Sequence, residues 1–332
     1  MFVGFYVGWD AASRRSLAAH VASLDVFAPL WLTIRGPKAE VVAESDPGAR
    51  KLLAARTHPP RVFPILSNAH DDEWDTAAAD AAILDPQTRD AVFTKLTDLA
   101  RTQGYSGYIF DFENLSTRAA AAYPAFLAAA RAALTPAKAE TWATEPIGSD
   151  QSQAALSAAT DTLVLMAYDE CWTTSTPGPI AGEDWLEQAL RERMAGLDPA
   201  HVVVALGSYG YDWPQGAAAS VVTAGAAQQT AARSGAAVKR APPSRNPNFG
   251  YADARGRRHT VWFLDATAFA MQSRAALAWR PRGVALWRLG LEDPALWVGL
   301  GGARVGAPRP PAVRSGPAPH PCDPMPGIAP QP

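Results

Sequence analysis

The sequence predicts a (β/α)8 barrel of the TIM type. Eight short runs rich in β-branched and aromatic residues alternate with Ala-rich stretches of helical period. Several of the runs are apolar almost throughout, the pattern of parallel strands covered on both faces. No glycine fingerprint follows the first run, which argues against a doubly wound, dinucleotide-binding sheet.

The expected strands, in order, are Phe2–Val7, Val26–Ile34, Val62–Leu66, Gly107–Phe112, Thr141–Thr144, Thr162–Ala167, Val202–Leu206 and Gly283–Trp287. Ser13–Leu24 carries a helical pattern after the first. Gln87–Gln103 carries another, with Pro86 in the usual helix-start position. Ser116–Leu134 opens on a Ser cap directly after the fourth strand, and Asp184–Met194 follows the sixth. The stretch from Ala217 to Arg258 is long for a barrel loop, and Pro242–Gly256 is rich in turn formers. An insertion at about 214–260 is therefore expected over the active face. Gly299, Gly301 and Gly302 read as a flexible exit from the barrel, which would occupy residues 1–303. From Arg304 onward Pro dominates and periodicity ends, so 304–332 reads as a disordered tail.

A chain of 332 residues with 48% hydrophobic content can build one large core. Its 19% of charged residues and net charge of −2 do not suit a nucleic-acid partner. Trp is frequent, at 11 residues, which serves core packing and also stacking against sugar rings. The two cysteines, Cys171 and Cys322, lie far apart and read as neither a disulfide framework nor a metal site; Cys171 reads as an incidental thiol. The histidines have no ligand-like spacing, and no cofactor pattern is present. No apolar run reaches the length of a membrane span, and the first barrel strand begins where a signal peptide would stand. On these features the protein is either cytoplasmic or cut from a longer exported or membrane-anchored parent.

The fourth strand ends Tyr108-Ile109-Phe110-Asp111-Phe112-Glu113-Asn114. Alternation along a strand puts Ile109, Asp111 and Glu113 on the inward face, and Phe110 and Phe112 against the helices. Two carboxylates at the C-terminal mouth of a barrel are expensive to bury, and no Lys or Arg lies within the strand to neutralise them. This end is where barrel active sites form. Neighbouring carboxylates resist double ionisation, so one pKa should rise. Glu113, nearer the mouth, suits a proton donor to a leaving oxygen. Asp111, deeper, suits a charge that stabilises a cation. This division of labour is that of glycosidases. The pair is too close in sequence for the opposed acid and base of an inverting enzyme, which favours a nucleophile supplied by the substrate.

Over residues 1–300 the chain resembles glycoside hydrolase family 18, the chitinase-like barrels, whose fourth strand carries D-G-x-D-x-D-x-E. Here the stretch reads Ser106-Gly107-Tyr108-Ile109-Phe110-Asp111-Phe112-Glu113: the final D-x-E is kept, and Ser106 and Ile109 replace the first two acids. The family's M-x-Y-D motif on strand six matches Met166-Ala167-Tyr168-Asp169, and its tryptophan closing strand eight matches Trp287. A closer resemblance is to the family-18-type domain of large bacterial membrane proteins that also carry a polysaccharide deacetylase and a family-2 glycosyltransferase. It rests on Tyr168-Asp169-Glu170-Cys171-Trp172, Pro177–Ala181, Phe5–Asp10, His259–Asp265 and Gly290–Pro294. Spore-cortex peptidoglycan glucosaminidases are more distant relatives that retain D-F-E.

The resemblance implies substrate-assisted, retaining hydrolysis of a β-linked polymer containing N-acetylglucosamine, without cofactor or metal. Glu113 would be the acid, Asp111 would orient the substrate's acetamido group, and Tyr168 would hydrogen-bond its carbonyl. Trp287 would floor the −1 subsite, with Met166 beside it, and Asp169 would contact the sugar or Glu113. Tyr6, Trp9, Trp31 and Trp172 suit a sugar groove and core packing equally. The family context is extracytoplasmic or membrane-associated, with a deacetylase and a glycosyltransferase as possible partners. Ile109 motivates a second reading, a glycan-binding domain without turnover, because an aliphatic side chain cannot share a proton with Asp111.

Overall fold

The computed structural model describes residues 1–44, 46–71, 73–149, 151–300 and 322–325. It contains a closed parallel barrel of eight strands: β1 (Phe2–Tyr6), β2 (Val26–Arg35), β3 (Ile65–Ser67), β4 (Gly107–Asp111), β5 (Glu140–Pro146), β6 (Thr162–Ala167), β7 (Val202–Gly207) and β8 (Gly283–Trp287). Each strand pairs in parallel with its sequence neighbours, and β1 pairs with both β2 and β8, which closes the ring. The predicted barrel is therefore present, with strand boundaries displaced by one or two residues. The third strand differs most. Its first part, Arg61–Val62, also pairs with β2, but Phe63 and Pro64 interrupt it, since Pro64 has no N–H for the ladder.

Inward side chains fill the barrel: Phe5, Ile65, Ile109, Trp142 and Val164 belong to one buried cluster. Outward side chains meet the helices. Phe110 and Phe112 pack with Tyr123 and Phe126 of the helix Thr117–Leu134, as alternation requires. Gly107, at the start of β4, lies where a Cβ would strike the Glu140 carbonyl and the Phe63 ring, so glycine is needed there. Helix caps follow local chemistry. Asp10 accepts from Ala12 N–H ahead of a helix at Ala11–His20, Asp85 caps Pro86–Gln103, and Ser116 caps Thr117–Leu134. A further helix runs from Glu183 to Arg193.

Between β7 and β8 an antiparallel sheet forms from Gly210–Pro214, Ser220–Val222, Asn248–Ala252 and Arg258–Phe263, with a helix at Ala224–Ser234. Its own core contains Phe249, Val261 and Phe263. Gly299 belongs to a short helix, Ala295–Leu300, rather than to a flexible exit; Gly301 and Gly302 lie outside the described residues. Among the described residues, no helix is long and apolar enough to cross a membrane.

The reading of the cysteines is corrected. Cys171 and Cys322 form a disulfide, with Cα atoms 5.0 Å apart. Residues 322–325 lie along the loop after β6. Cys322 N–H donates to the Glu170 carbonyl, Thr176 N–H to Asp323, and Met325 N–H to Thr174. Gly178 makes room for the bridge, because a Cβ there would strike both sulfurs. The rest of the Pro-rich segment called a disordered tail lies outside the described residues.

Candidate active site

A cleft of about 1340 Å³ opens at the C-terminal ends of the barrel strands. Asp111, Glu113, Tyr168, Asp169 and Trp287 all line it. Met166, Trp9 and Trp172 line it too. Trp9, in the loop after β1, is 67% exposed at its rim, an arrangement suited to stacking on a ligand. Two sequence candidates do not reach the cleft. Tyr6 is fully buried on the outer face of β1, packed on Phe27, and its hydroxyl donates to Asp46 at 2.5 Å. Trp31 is likewise buried in the outer core, under the Arg50 guanidinium.

Asp111 is the last residue of β4. The Thr144 hydroxyl of β5 donates to its Oδ1 at 2.5 Å. Enclosure in the cleft pushes the Asp111 carboxyl above the usual range, against the pull of that hydrogen bond. Glu113 lies two residues on. Asn68 fixes its main chain: Glu113 N–H donates to Asn68 Oδ1 at 2.9 Å, and Asn68 Nδ2 donates to the Glu113 carbonyl at 3.0 Å. Burial, then the charges of Asp111, Asp169 and Glu145, push the Glu113 carboxyl up to about 8. A carboxyl so raised holds its proton at neutral pH, the state a general acid requires.

Tyr168 and Asp169 follow β6. The Tyr168 ring lies nearly parallel to Trp287, at 6.3 Å between centroids. Trp287 in turn meets Phe5 edge-on at 5.4 Å. Asp169 accepts hydrogen bonds from the hydroxyls of Tyr209 and Tyr211, the latter at 2.9 Å. Its carboxyl is raised to about 6 by enclosure within the cleft walls, which outweighs those two bonds. Both carboxylate-bearing turns leave their strands through a residue of positive φ, Asn114 (51°) and Asp169 (59°), residue types that tolerate this region best after glycine. The peptide joining Trp287 to Arg288 is cis, and Arg288 pairs with Asp10 at 2.7 Å.

Several cleft residues were not singled out from the sequence. Thr144 lies in β5 two residues before its end, Ser67 ends β3, and Tyr209 and Tyr211 follow β7. The available signal was position, since polar residues at or just past the C-terminal ends of barrel strands face the active side. Asn68 has no comparable signature, because its role depends on a main-chain contact 45 residues away.

Known proteins match this description. No family model matches the chain. The cortical fragment-lytic enzyme of Bacillus subtilis is 27% identical over 256 residues, covering 70% of this chain and 58% of that enzyme. The uncharacterized glycosylase YvbX of the same organism is 23% identical over 311 residues, covering 90% of this chain and 89% of that protein. The crystal structure of a chitinase from Chromobacterium violaceum superposes with a TM-score of 0.83 at 26% identity, covering 92% of this chain and 99% of that one. The chain spans about three-fifths of the length of two of its curated relatives. Fold, motif order and similarity converge on one likeness: the chain is similar to chitinases and spore cortex-lytic glycosylases.

Proposed function

We propose that the protein hydrolyses β-linked glycans containing N-acetylglucosamine, with retention, using the substrate's own acetamido group as nucleophile. The observation that carries this reading is the placement of Asp111 and Glu113 side by side in one cleft, with the Glu113 carboxyl raised to about 8. Glu113 gives its proton to the glycosidic oxygen as the bond to the anomeric carbon breaks. The acetamido carbonyl oxygen attacks that carbon and closes an oxazolinium ring. Asp111 accepts the amide N–H and stabilises the positive charge, while Tyr168 donates its hydroxyl to the acetamido carbonyl. Glutamate at position 113 then takes a proton from water as the water opens the ring, which restores the acid. Trp287 forms the apolar floor on which the sugar sits.

The names of the relatives, chitinase and cortical fragment-lytic enzyme, support chitin-like oligomers and peptidoglycan as substrate classes. The Cys171–Cys322 bridge supports an oxidising, extracytoplasmic setting. On the closer sequence likeness, the chain works in exopolysaccharide assembly beside a deacetylase and a family-2 glycosyltransferase. The test is incubation of the wild type and Glu113→Gln with N-acetylglucosamine oligomers and peptidoglycan fragments. Cleavage by the wild type alone is expected, and equal cleavage by the variant removes Glu113 from the mechanism.

Ile109 favours one second reading, a glycan-binding domain without turnover. Its side chain is fully buried beneath Asp111 and offers no proton. Calorimetric binding of these oligomers with no product over long incubation would favour that reading.

A further inference from the structure

Asp111 sits on an apolar floor. Ile109, two residues before it on the same face, is fully buried with Phe5, Ile65, Trp142 and Val164. Among the described residues none of these side chains donates to the carboxylate, and the Trp142 indole N–H is taken up by Glu140. The neighbours at its own level are hydroxyls. Ser67 of β3 is its direct partner in the parallel register. On the other side β4 and β5 run in register to Phe110 and Ala143, so the next step brings Thr144 alongside. Ser67 Oγ accepts from Ala69 N–H at 3.1 Å. Thr144 Oγ1 donates to Asp111 Oδ1, and among the described residues it alone hydrogen-bonds that side chain.

We propose that Thr144 is the positioning residue for Asp111, supplying from the neighbouring strand the hydrogen bond that an aliphatic residue at 109 cannot. The proposal rests on the reading of Asp111 as the group that orients the acetamido nitrogen. Thr144 suits the task physically. It is buried, so little water competes for its proton. It is β-branched, so the direction of its hydroxyl is restricted. It also has a second acceptor, the Phe110 carbonyl at 3.3 Å. A hydroxyl has one proton, so the two acceptors alternate. While Asp111 is ionised and unoccupied, Thr144 holds it. When Asp111 turns to the substrate amide, the proton swings to the Phe110 carbonyl and is not left unpaired.

The hydrogen bond favours the charged form of Asp111 and so opposes the rise that burial causes. The titratable groups facing this region are Glu113 two residues past the end of β4, Tyr168 and Asp169 after β6, Tyr123 of the helix Thr117–Leu134, and Glu145 of β5. No Lys or Arg among the described residues forms an ion pair with Asp111.

The experiment compares Thr144→Val, Thr144→Ala and Thr144→Ser with the wild type in two measurements. The first is the pH dependence of glycan cleavage. Both variants without the hydroxyl should lose about tenfold or more in kcat with KM little changed, and the acidic limb of the profile should move to higher pH. Thr144→Ser should restore both. The second is an NMR titration of the Asp111 carboxyl carbon, whose midpoint should move up in Thr144→Val and Thr144→Ala but not in Thr144→Ser. Wild-type kcat and an unmoved midpoint in the variants without the hydroxyl would overturn the proposal. Equal impairment in Thr144→Ser would do so as well, since it would assign the effect to the methyl group. A wild type without turnover would count against the glycosidase reading, while the NMR midpoints would still decide the role of Thr144.

Discussion

Asn68 grips the main chain of Glu113 at both polar atoms, accepting its N–H at 2.9 Å and donating to its carbonyl at 3.0 Å. The side chain of Asn68 is fully buried, so no solvent replaces it. The proposed acid is thus set by a residue from the end of the neighbouring strand rather than by its own strand, which ends at Asp111. Replacing Asn68 by Ala leaves a buried N–H and carbonyl without that partner, a loss of about 1–3 kcal/mol per unsatisfied group. Misplacement of the acid should lower kcat by about tenfold or more, with KM little changed. Steady-state kinetics and a thermal melt on Asn68→Ala check both effects.

The raised carboxyl of Glu113 fixes the direction of the pH profile. An acid must be protonated to act, so kcat/KM should fall as pH rises through about 8. The charge of Asp169 contributes to that rise. Asp169→Asn removes the charge, so the alkaline limb should move to lower pH. A limb unmoved in that variant would show that Asp169 does not act on Glu113 through its charge.

Glu145 predicts a stability effect. It is 2% exposed on the outer side of β5, its Oε1 has no hydrogen-bond partner, and burial raises its carboxyl to about 7, against Ser149 and Arg193. A carboxyl with a raised folded-state pKa supports folding while protonated. That support is complete below the unfolded value of 4.5 and is lost as pH rises through about 7. Glu145→Gln should therefore stabilise the protein above neutrality, by at most about 3 kcal/mol, and do little at pH 4. Denaturant melts of both proteins across that window measure the difference.

The disulfide predicts a further stability effect. Cys171 and Cys322 are 151 residues apart, so the bridge restricts the unfolded chain strongly. Reduction, or Cys322→Ser, should cost about 2–5 kcal/mol. It should also free the loop that carries Trp172, so glycan affinity should fall along with the melting temperature.

The barrel was legible because each strand is a short apolar run bounded by polar or turn residues, and the inward period of two placed Asp111 and Glu113 in the mouth. The same period places Tyr6 and Trp31 outside. Val3 and Phe5, and then Val26 and Ala28, face the barrel interior, which turns the residues between and after them outward. Reading aromatic type without parity left both as candidates for the groove as much as for the core. The disulfide was not legible, because the approach of residues 322–325 depends on main-chain hydrogen bonds to the loop after β6 that no local pattern announces. Tyr209, Tyr211 and Thr144 were hidden for a related reason. Their partners Asp169 and Asp111 are brought to them only by barrel closure.

The central claim is that Glu113 and the substrate's acetamido group together cleave the glycan with retention. Proton NMR of the first product formed from an N-acetylglucosamine oligomer tests it most directly. The account predicts that the β-anomer appears first with the wild type, and that no product appears with Glu113→Gln. Initial release of the α-anomer, or product formation unchanged in the variant, would contradict it.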